Sequence, residues 1–108
     1  MLVTNTESLP GYEITHSLGL VSGNVVRSKH LGRDIMAGLK TIIGGEIRGY
    51  TEMLSEARAE AQVRAEQAAT QLGADALINV RFTTSAVAAG MSEILAYGTA
   101  VKIRKTQS

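Results

Sequence analysis

The chain has 108 residues, a formal net charge of +1 and no cysteine, which is typical of a single domain spanning residues 1–108. The lack of cysteine excludes thiol nucleophiles, redox dithiols and cysteine-ligated metal sites. The nearly balanced charge argues against broad electrostatic binding to nucleic acid or acidic membranes. The sequence also lacks a signal-peptide pattern and an apolar run near the ~20 residues of a membrane span. We therefore expect a cytoplasmic protein that binds neither nucleic acid nor membranes.

The N-terminal quarter predicts a short strand-like lead-in, a turn and a bent strand. Leu9-Pro10-Gly11 has turn chemistry, because Pro fixes φ and Gly tolerates a positive φ. Apolar residues then alternate with polar ones up to Arg27, which predicts a half-buried strand. Gly19 and Gly23 interrupt this pattern and indicate a bulge or a close backbone approach. The alternation places these residues on one face: Tyr12, Ile14, His16, Leu18 and Leu20.

Helical spacing follows in two segments. The first runs from Ser28 to Ile43 and predicts a short helix that ends at Gly44-Gly45, with Gly49 in the connecting loop. The second runs from Tyr50 to Leu72 and predicts a long helix capped by Gly73. Because its apolar face is mostly alanine, we expect the helix backbone to lie close to a sheet. That face consists of Tyr50, Leu54, Ala57, Ala61, Ala65, Ala68 and Leu72.

The C-terminal third predicts a β-hairpin, with strands over about 74–87 and 92–103 and a turn at Ala89-Gly90. Both faces of the second strand are apolar or small, whereas the helix can cover only one face of the sheet. We therefore infer a subunit interface on the other face, and a charge at Ala96 or Ala100 is expected to disrupt the oligomer. The two faces carry Leu95, Tyr97, Val101 and Ile103 on one side and Ile94, Ala96, Gly98 and Ala100 on the other.

Several ordered blocks resemble the YbjQ-like family, which is described as putative heavy-metal-binding proteins. The blocks are Gly19-Leu20-Val21-Ser22-Gly23, Arg33-Asp34, Ala37-Gly38, Ile43-Gly44-Gly45, Tyr50, Ala57-Arg58, Leu72-Gly73-Ala74-Asp75-Ala76 and Gly98-Thr99-Ala100-Val101. The resemblance covers nearly the whole chain. It implies an α+β, dodecin-like subunit in the order strand, helix, strand, strand, with a long helix on a small antiparallel sheet and a short extra helix. It also implies assembly of this subunit into a pentameric ring.

Metal binding depends on few donors, because the chain offers two His, four Met and no Cys. His16 is a weak candidate ligand, because a packed or interfacial histidine is the favoured interpretation. Rotational symmetry would bring copies of one residue together, so a ring could complete a site for a divalent metal ion that one subunit lacks.

Charged and glycine-rich segments give weaker candidates. Arg33, Asp34 and Arg58 form a candidate anion-binding or interface network, because guanidinium groups suit carboxylates and phosphates. The segment 44–49 is either a phosphate cradle or a turn, and its spacing, which matches no phosphate motif, favours the turn. A row of helix carboxylates could hold a cation or perform acid–base chemistry, although a solvated row is the favoured interpretation: Glu52, Glu56 and Glu60.

These observations favour a non-enzymatic homo-oligomer that binds a metal ion or small ligand at subunit interfaces. No nucleophile motif supports catalysis. Two alternatives stay open: a structural or adaptor ring without a ligand, and an enzyme whose active site lies between subunits.

Overall fold

The computed structural model describes residues 1–28 and 43–107, with side chains at 1–28 and 49–107. One helix lies on a four-stranded sheet of order β1-β3-β4-β2, which confirms the predicted α+β architecture. β1 runs parallel to β3 whereas the other pairs are antiparallel, so the sheet is mixed and not fully antiparallel as predicted. The elements are β1 (Leu2–Val3), β2 (Tyr12–Ser28), α1 (Ile43–Gln71), β3 (Ala76–Ala88) and β4 (Met91–Lys105).

The long helix begins earlier than its sequence predicts. Gly44, Gly45 and Gly49 all lie inside α1, so neither a helix stop nor a loop or phosphate cradle occurs there. Each glycine costs roughly 1 kcal/mol relative to alanine, but a continuous helix propagates cooperatively and absorbs that cost. The predicted short helix falls mainly on residues 29–42, which lie outside the described residues. Within the described chain, no helix has the length and apolar character needed to cross a bilayer.

The C-terminal end of α1 confirms the predicted glycine cap. Gly73 has a φ of 83°, in the left-handed region that side chains disfavour. Its amide donates to the carbonyl of Thr70 at 2.9 Å, and the amide of Ala74 donates to that of Ala69 at 3.1 Å. This pair of bonds is a Schellman motif, which satisfies carbonyls at the helix end and turns the chain toward β3.

The contact between α1 and the sheet is built from small residues. Four alanines spaced by one turn have no exposed surface: Ala57, Ala61, Ala65 and Ala69. A Cβ added to Gly23 of β2 would lie 2.5 Å from the backbone nitrogen of Ala65 and 2.6 Å from Cβ of Arg64. The helix backbone therefore lies directly against β2, as the alanine face predicts. Ala69 is fully buried where Ala68 was expected to be, and Leu72 is exposed.

This packing corrects the sequence prediction for two alanines of β4. Ala96 and Ala100 have no exposed surface and belong to the core under α1. They pack within the subunit, so the prediction that they mark a subunit interface is wrong. The sequence left the choice open because both faces of β4 carry apolar or small residues.

The pairing of β2 with β4 contains two irregularities. The register shifts between Ile14 and His16 and again between Ser17 and Gly19, with one extra β2 residue at each place. Gly19 has a φ of 114°, which confirms the bulge predicted from its glycine. Each extra residue reverses the face on which the following side chains lie.

These bulges divide the face predicted for Tyr12 to Leu20. Leu18 packs against the core under α1, and His16 lies opposite Lys102 on the same side. Ile14 and Leu20 lie on the other side of the sheet, which we call the second face, and both are exposed. The predicted single face is therefore wrong, because straight alternation cannot continue through a bulge.

The N-terminal segment covers part of the second face from within the chain. Leu9 packs against a small cluster of buried residues formed by Ala76, Ile78 and Val101. The predicted turn holds Leu9 in place: the Tyr12 amide donates to the Leu9 carbonyl at 3.0 Å. The inference that another subunit must cover this face is therefore wrong for the region under Leu9.

Candidate functional site

His16, the candidate metal ligand, lies at the surface of the bulged part of β2. Its ring nitrogen Nδ1 is 3.0 Å from the hydroxyl of Thr15. Across the ladder it faces Lys102, whose ammonium group disfavours a second cation nearby. His16 is exposed, so the favoured interpretation of a packed histidine is wrong within one subunit, and an interfacial histidine stays a prediction.

The end of the sheet beyond His16 carries mixed charge. Arg104 forms an ion pair with Glu13 of the adjacent strand, and both residues line an open surface cavity of about 610 Å³. The rest of its lining comes from the chain end, from Lys105, Thr106 and Gln107. The cavity is shallow and polar, which suits water or small ions better than an apolar ligand.

The predicted network of Arg33, Asp34 and Arg58 is described only in part. Arg33 and Asp34 lie outside the described residues. Arg58 is half-buried on α1, where its Nη2 donates to the hydroxyl of Ser55 at 3.2 Å. The network therefore stays a prediction.

A polar cluster that the sequence predicts only in part joins α1 to β2. Glu60 forms an ion pair with Arg27 and lies 3.6 Å from Arg64. Arg64 also donates to the backbone carbonyl of Asn24 at 2.7 Å. The pair between Glu60 and Arg64 follows from helical spacing. Arg27 is 33 residues from Glu60 in sequence, so only the fold brings it there.

Comparison with known proteins places the chain in a family. Residues 1–104 match the family described as putative heavy-metal-binding. A UPF0145 protein of Photobacterium profundum is 67% identical over 103 residues, which cover 95% of this chain and 100% of that relative. The chain belongs to this family. A UPF0145 protein of Thermosipho africanus is 57% identical over 106 residues, 98% of each chain.

A solved structure extends the likeness of this UPF0145 chain to its fold. It is a protein of unknown function from Pediococcus pentosaceus, assigned to the DUF74 family, with a TM-score of 0.66. The match covers 96% of this chain and 98% of that chain at 19% identity. At that identity the likeness supports the fold alone.

The metal-binding description of the UPF0145 family can be tested against the residues of one subunit. Across residues 1–28 and 49–107, no group of three His, Cys, Asp or Glu side chains could hold a metal ion. Glu52 and Glu56 are exposed, and Glu60 is engaged with arginines. The described part of one subunit therefore does not supply enough ligands for a complete metal site. A metal ion bound by His16 would need further ligands from outside that part of the subunit.

Proposed function

We propose that this UPF0145 protein is a homo-oligomer, assembled as a pentameric ring, that binds a metal ion or small ligand at surfaces shared between subunits. Cytoplasmic residence is part of the same proposal and rests on the sequence. The exposed apolar part of the second face carries the proposal, and the family description supplies the class of ligand.

Where Leu9 does not reach, the second face carries exposed apolar side chains beside a polar pair, in which Asn24 donates to Glu93 at 3.2 Å. Leu20 is 74% exposed and Val26 is 46% exposed, and both lie on β2 at the side of the sheet opposite α1. Leu95 and Tyr97 lie on the same side of β4 and are half-buried. Covering this patch with a second copy would remove it from water.

The shape of the subunit supports the same proposal. Its extents are 60 × 24 × 16 Å and its radius of gyration is 17.9 Å. A compact chain of 108 residues would have a radius of about 13 Å. In an elongated, thin subunit, the described residues leave part of the sheet without cover, and neighbouring copies are the simplest cover.

A shared site would overcome the shortage of ligands within one subunit. Cyclic symmetry repeats each exposed side chain around the axis, so His16 from several subunits could supply imidazole ligands that one subunit lacks. Imidazole suits zinc, copper and nickel among divalent metals. A ligand held between subunits would also stabilise the ring by mass action.

Native mass spectrometry with elemental analysis tests the proposal on protein purified without a metal-affinity tag. A mass near five times 11.4 kDa with stoichiometric metal or a bound small molecule would support it. A pentamer that carries no metal or small molecule, even after incubation with zinc, copper or nickel, would contradict ligand binding. It would favour a structural or adaptor ring. A monomer at every concentration would contradict the oligomer itself.

The two histidines of the chain provide a matched test of the ligand. We expect His16→Gln to lower the metal content of the oligomer at least tenfold, whereas His30→Gln, the same change at the other histidine, leaves it unchanged. The measurement is metal per subunit after dialysis, with oligomeric mass as the check on assembly. Equal metal in both variants would contradict a role for His16.

A further inference from the structure

The two edges of the sheet differ in how far they are covered. On the β1 side, the N-terminal segment covers only the first part of β3. Thr4 donates to the carbonyl of Leu77 at 3.0 Å and accepts from the amide of Val80 at 3.1 Å. Arg81 then donates to the carbonyl of Asn5 at 2.8 Å. Beyond Arg81, the described chain places no strand on the outer side of β3.

We call the outer side of residues 82–88 the open edge. Its sequence is Phe-Thr-Thr-Ser-Ala-Val-Ala, which has no charge, no proline and no glycine. Every residue is exposed, including Phe82 at 40% and Val87 at 52%. A strand edge of this kind presents a row of backbone donors and acceptors that readily pair with another strand. Natural proteins usually protect such edges with charges, proline, bulges or covering segments.

The opposite edge, formed by β2, has these protections. Two bulges interrupt its first half, and a bulge twists an edge away from a partner strand. In its second half, Arg64 reaches from α1 and occupies the carbonyl of Asn24. Arg27 adds a charged side chain held by Glu60. β3 also contains register shifts, between Ile78 and Arg81 and between Ala86 and Ala88, so the open edge differs from β2 in having no charged side chain along it.

We propose that the open edge accepts a β-strand from a second copy of this chain. The inference rests on the oligomer proposed above and adds the surface through which it forms. An uncharged edge approaches a copy of the same chain without like-charge repulsion. The part of the open edge before the register shift at Ala86, residues 82–86, extends about 17 Å at the usual rise per residue, which is long enough for a short regular ladder. Because contacts within a cyclic ring are heterologous, the accepted strand comes from a segment other than the open edge itself.

Amide hydrogen exchange on the unmodified protein tests this pairing directly. In an edge strand, every second amide points away from its one neighbour and exchanges rapidly. If the open edge is paired, consecutive amides from Thr83 to Ala86, before the register shift of β3, are protected in the oligomer, and the outward ones slow at least about 100-fold. Rapid exchange at alternate amides in an intact oligomer would overturn the edge pairing but would not contradict the proposed ring.

A charged substitution tests the same edge by mass. Thr84 is exposed and lies opposite Ile94, so a lysine there stays solvated in a single subunit. We expect Thr84→Lys to shift the native mass to smaller species, whereas Thr84→Val, which keeps the backbone edge, retains the oligomer. Gln67→Lys places the same charge on the exposed side of α1 and should leave the mass unchanged.

The outcomes separate the two proposals. An oligomer unaffected by Thr84→Lys, with that variant folded by circular dichroism, would overturn the role of the open edge. If Thr84→Lys does not fold, the exchange pattern of the unmodified protein decides alone. A wild-type chain that is monomeric at every concentration would overturn both the edge pairing and the ring.

Discussion

The two faces of the sheet are built on different principles. Under α1 the side chains are small, and the helix backbone approaches β2 so closely that Gly23 has no room for a Cβ. On the second face, large side chains such as Leu20 and Val26 lie exposed, and Leu9 covers only one end. Among the described residues, the first face is covered within one chain, whereas part of the second face is not.

This difference assigns separate tasks to the two faces. The close-packed face determines whether a subunit folds, because it tolerates no extra atom. The open face and the open edge contribute little to the fold of a single subunit, so changes there are expected to affect assembly instead. Substitutions of the same kind on each side can test this division.

The largest effect is expected from a charge under α1. Ala100 has no exposed surface, so Ala100→Lys buries an unpaired ammonium group and should cost about 4 kcal/mol or more. Leu20→Lys is the matched control, because Leu20 lies near Ala100 on the opposite face. It should change subunit stability by less than about 0.5 kcal/mol. Urea unfolding measures both at a protein concentration where the subunits are dissociated, because association would otherwise contribute at Leu20. Similar losses would contradict the division between the faces.

The next largest effect is expected at Gly23. A Cβ in Gly23→Ala meets helix backbone, so overpacking should lower the free energy of unfolding by about 3 kcal/mol. Gly19→Ala in the same strand is the control, because a Cβ there meets nothing within 4 Å and adds only the strain of a φ of 114°. That φ lies beyond the left-handed helical region, and the strain should cost about 2 kcal/mol. A greater loss of unfolding free energy for Gly19→Ala than for Gly23→Ala would contradict the close contact between α1 and β2.

A smaller effect is expected at the hydrogen bond that joins α1 to β4. The hydroxyl of Tyr50 lies 2.9 Å from that of Ser92, which is 4% exposed. Tyr50→Phe removes this bond at a buried hydroxyl and should cost about 1 kcal/mol in urea unfolding. Tyr12 has the same exposure as Tyr50, 37%, but does not bond to Ser92, so Tyr12→Phe should change stability by less than about 0.5 kcal/mol. Equal values would exclude a stabilising role for the Tyr50 bond.

The smallest effect is expected at the border between α1 and β2. Glu60 and Arg27 are each more than one-third exposed, so their ion pair is screened by solvent and should contribute less than about 1 kcal/mol. We expect Glu60→Gln to lower stability slightly, and less so in 1 M salt. Glu56→Gln, one turn earlier at an exposed position, should have no measurable effect. A loss at Glu60 that salt does not reduce would contradict an electrostatic origin.

The sequence predicts features that depend on neighbouring residues better than those that depend on distant ones. The turn after Leu9, the cap at Gly73 and the alanine contact of α1 all follow from local chemistry, and the structure confirms them. The prediction that His16 shares one face with Ile14 and Leu20 is wrong, because two bulges lie within an apparently regular alternation. Bulges depend on pairing with β4, which a pattern along β2 does not contain.

The candidate site was less predictable for the same reason. The cover that Leu9 provides and the ion pair of Arg27 with Glu60 join residues far apart in sequence. Ala100 was assigned to an interface because both faces of β4 have similar composition, and only the position of α1 separates them. Arg33 and Asp34, the core of the predicted anion network, lie outside the described residues.

The alanine and glycine layer also has a calorimetric consequence. Ala and Gly lose almost no rotamer entropy on folding, but each removes little hydrocarbon from water compared with Leu or Phe. Unfolding of a subunit should therefore raise the heat capacity by less than the usual ~12–15 cal/mol/K per residue. A smaller increment flattens the dependence of stability on temperature, so the fold should lose little stability on cooling toward 0 °C.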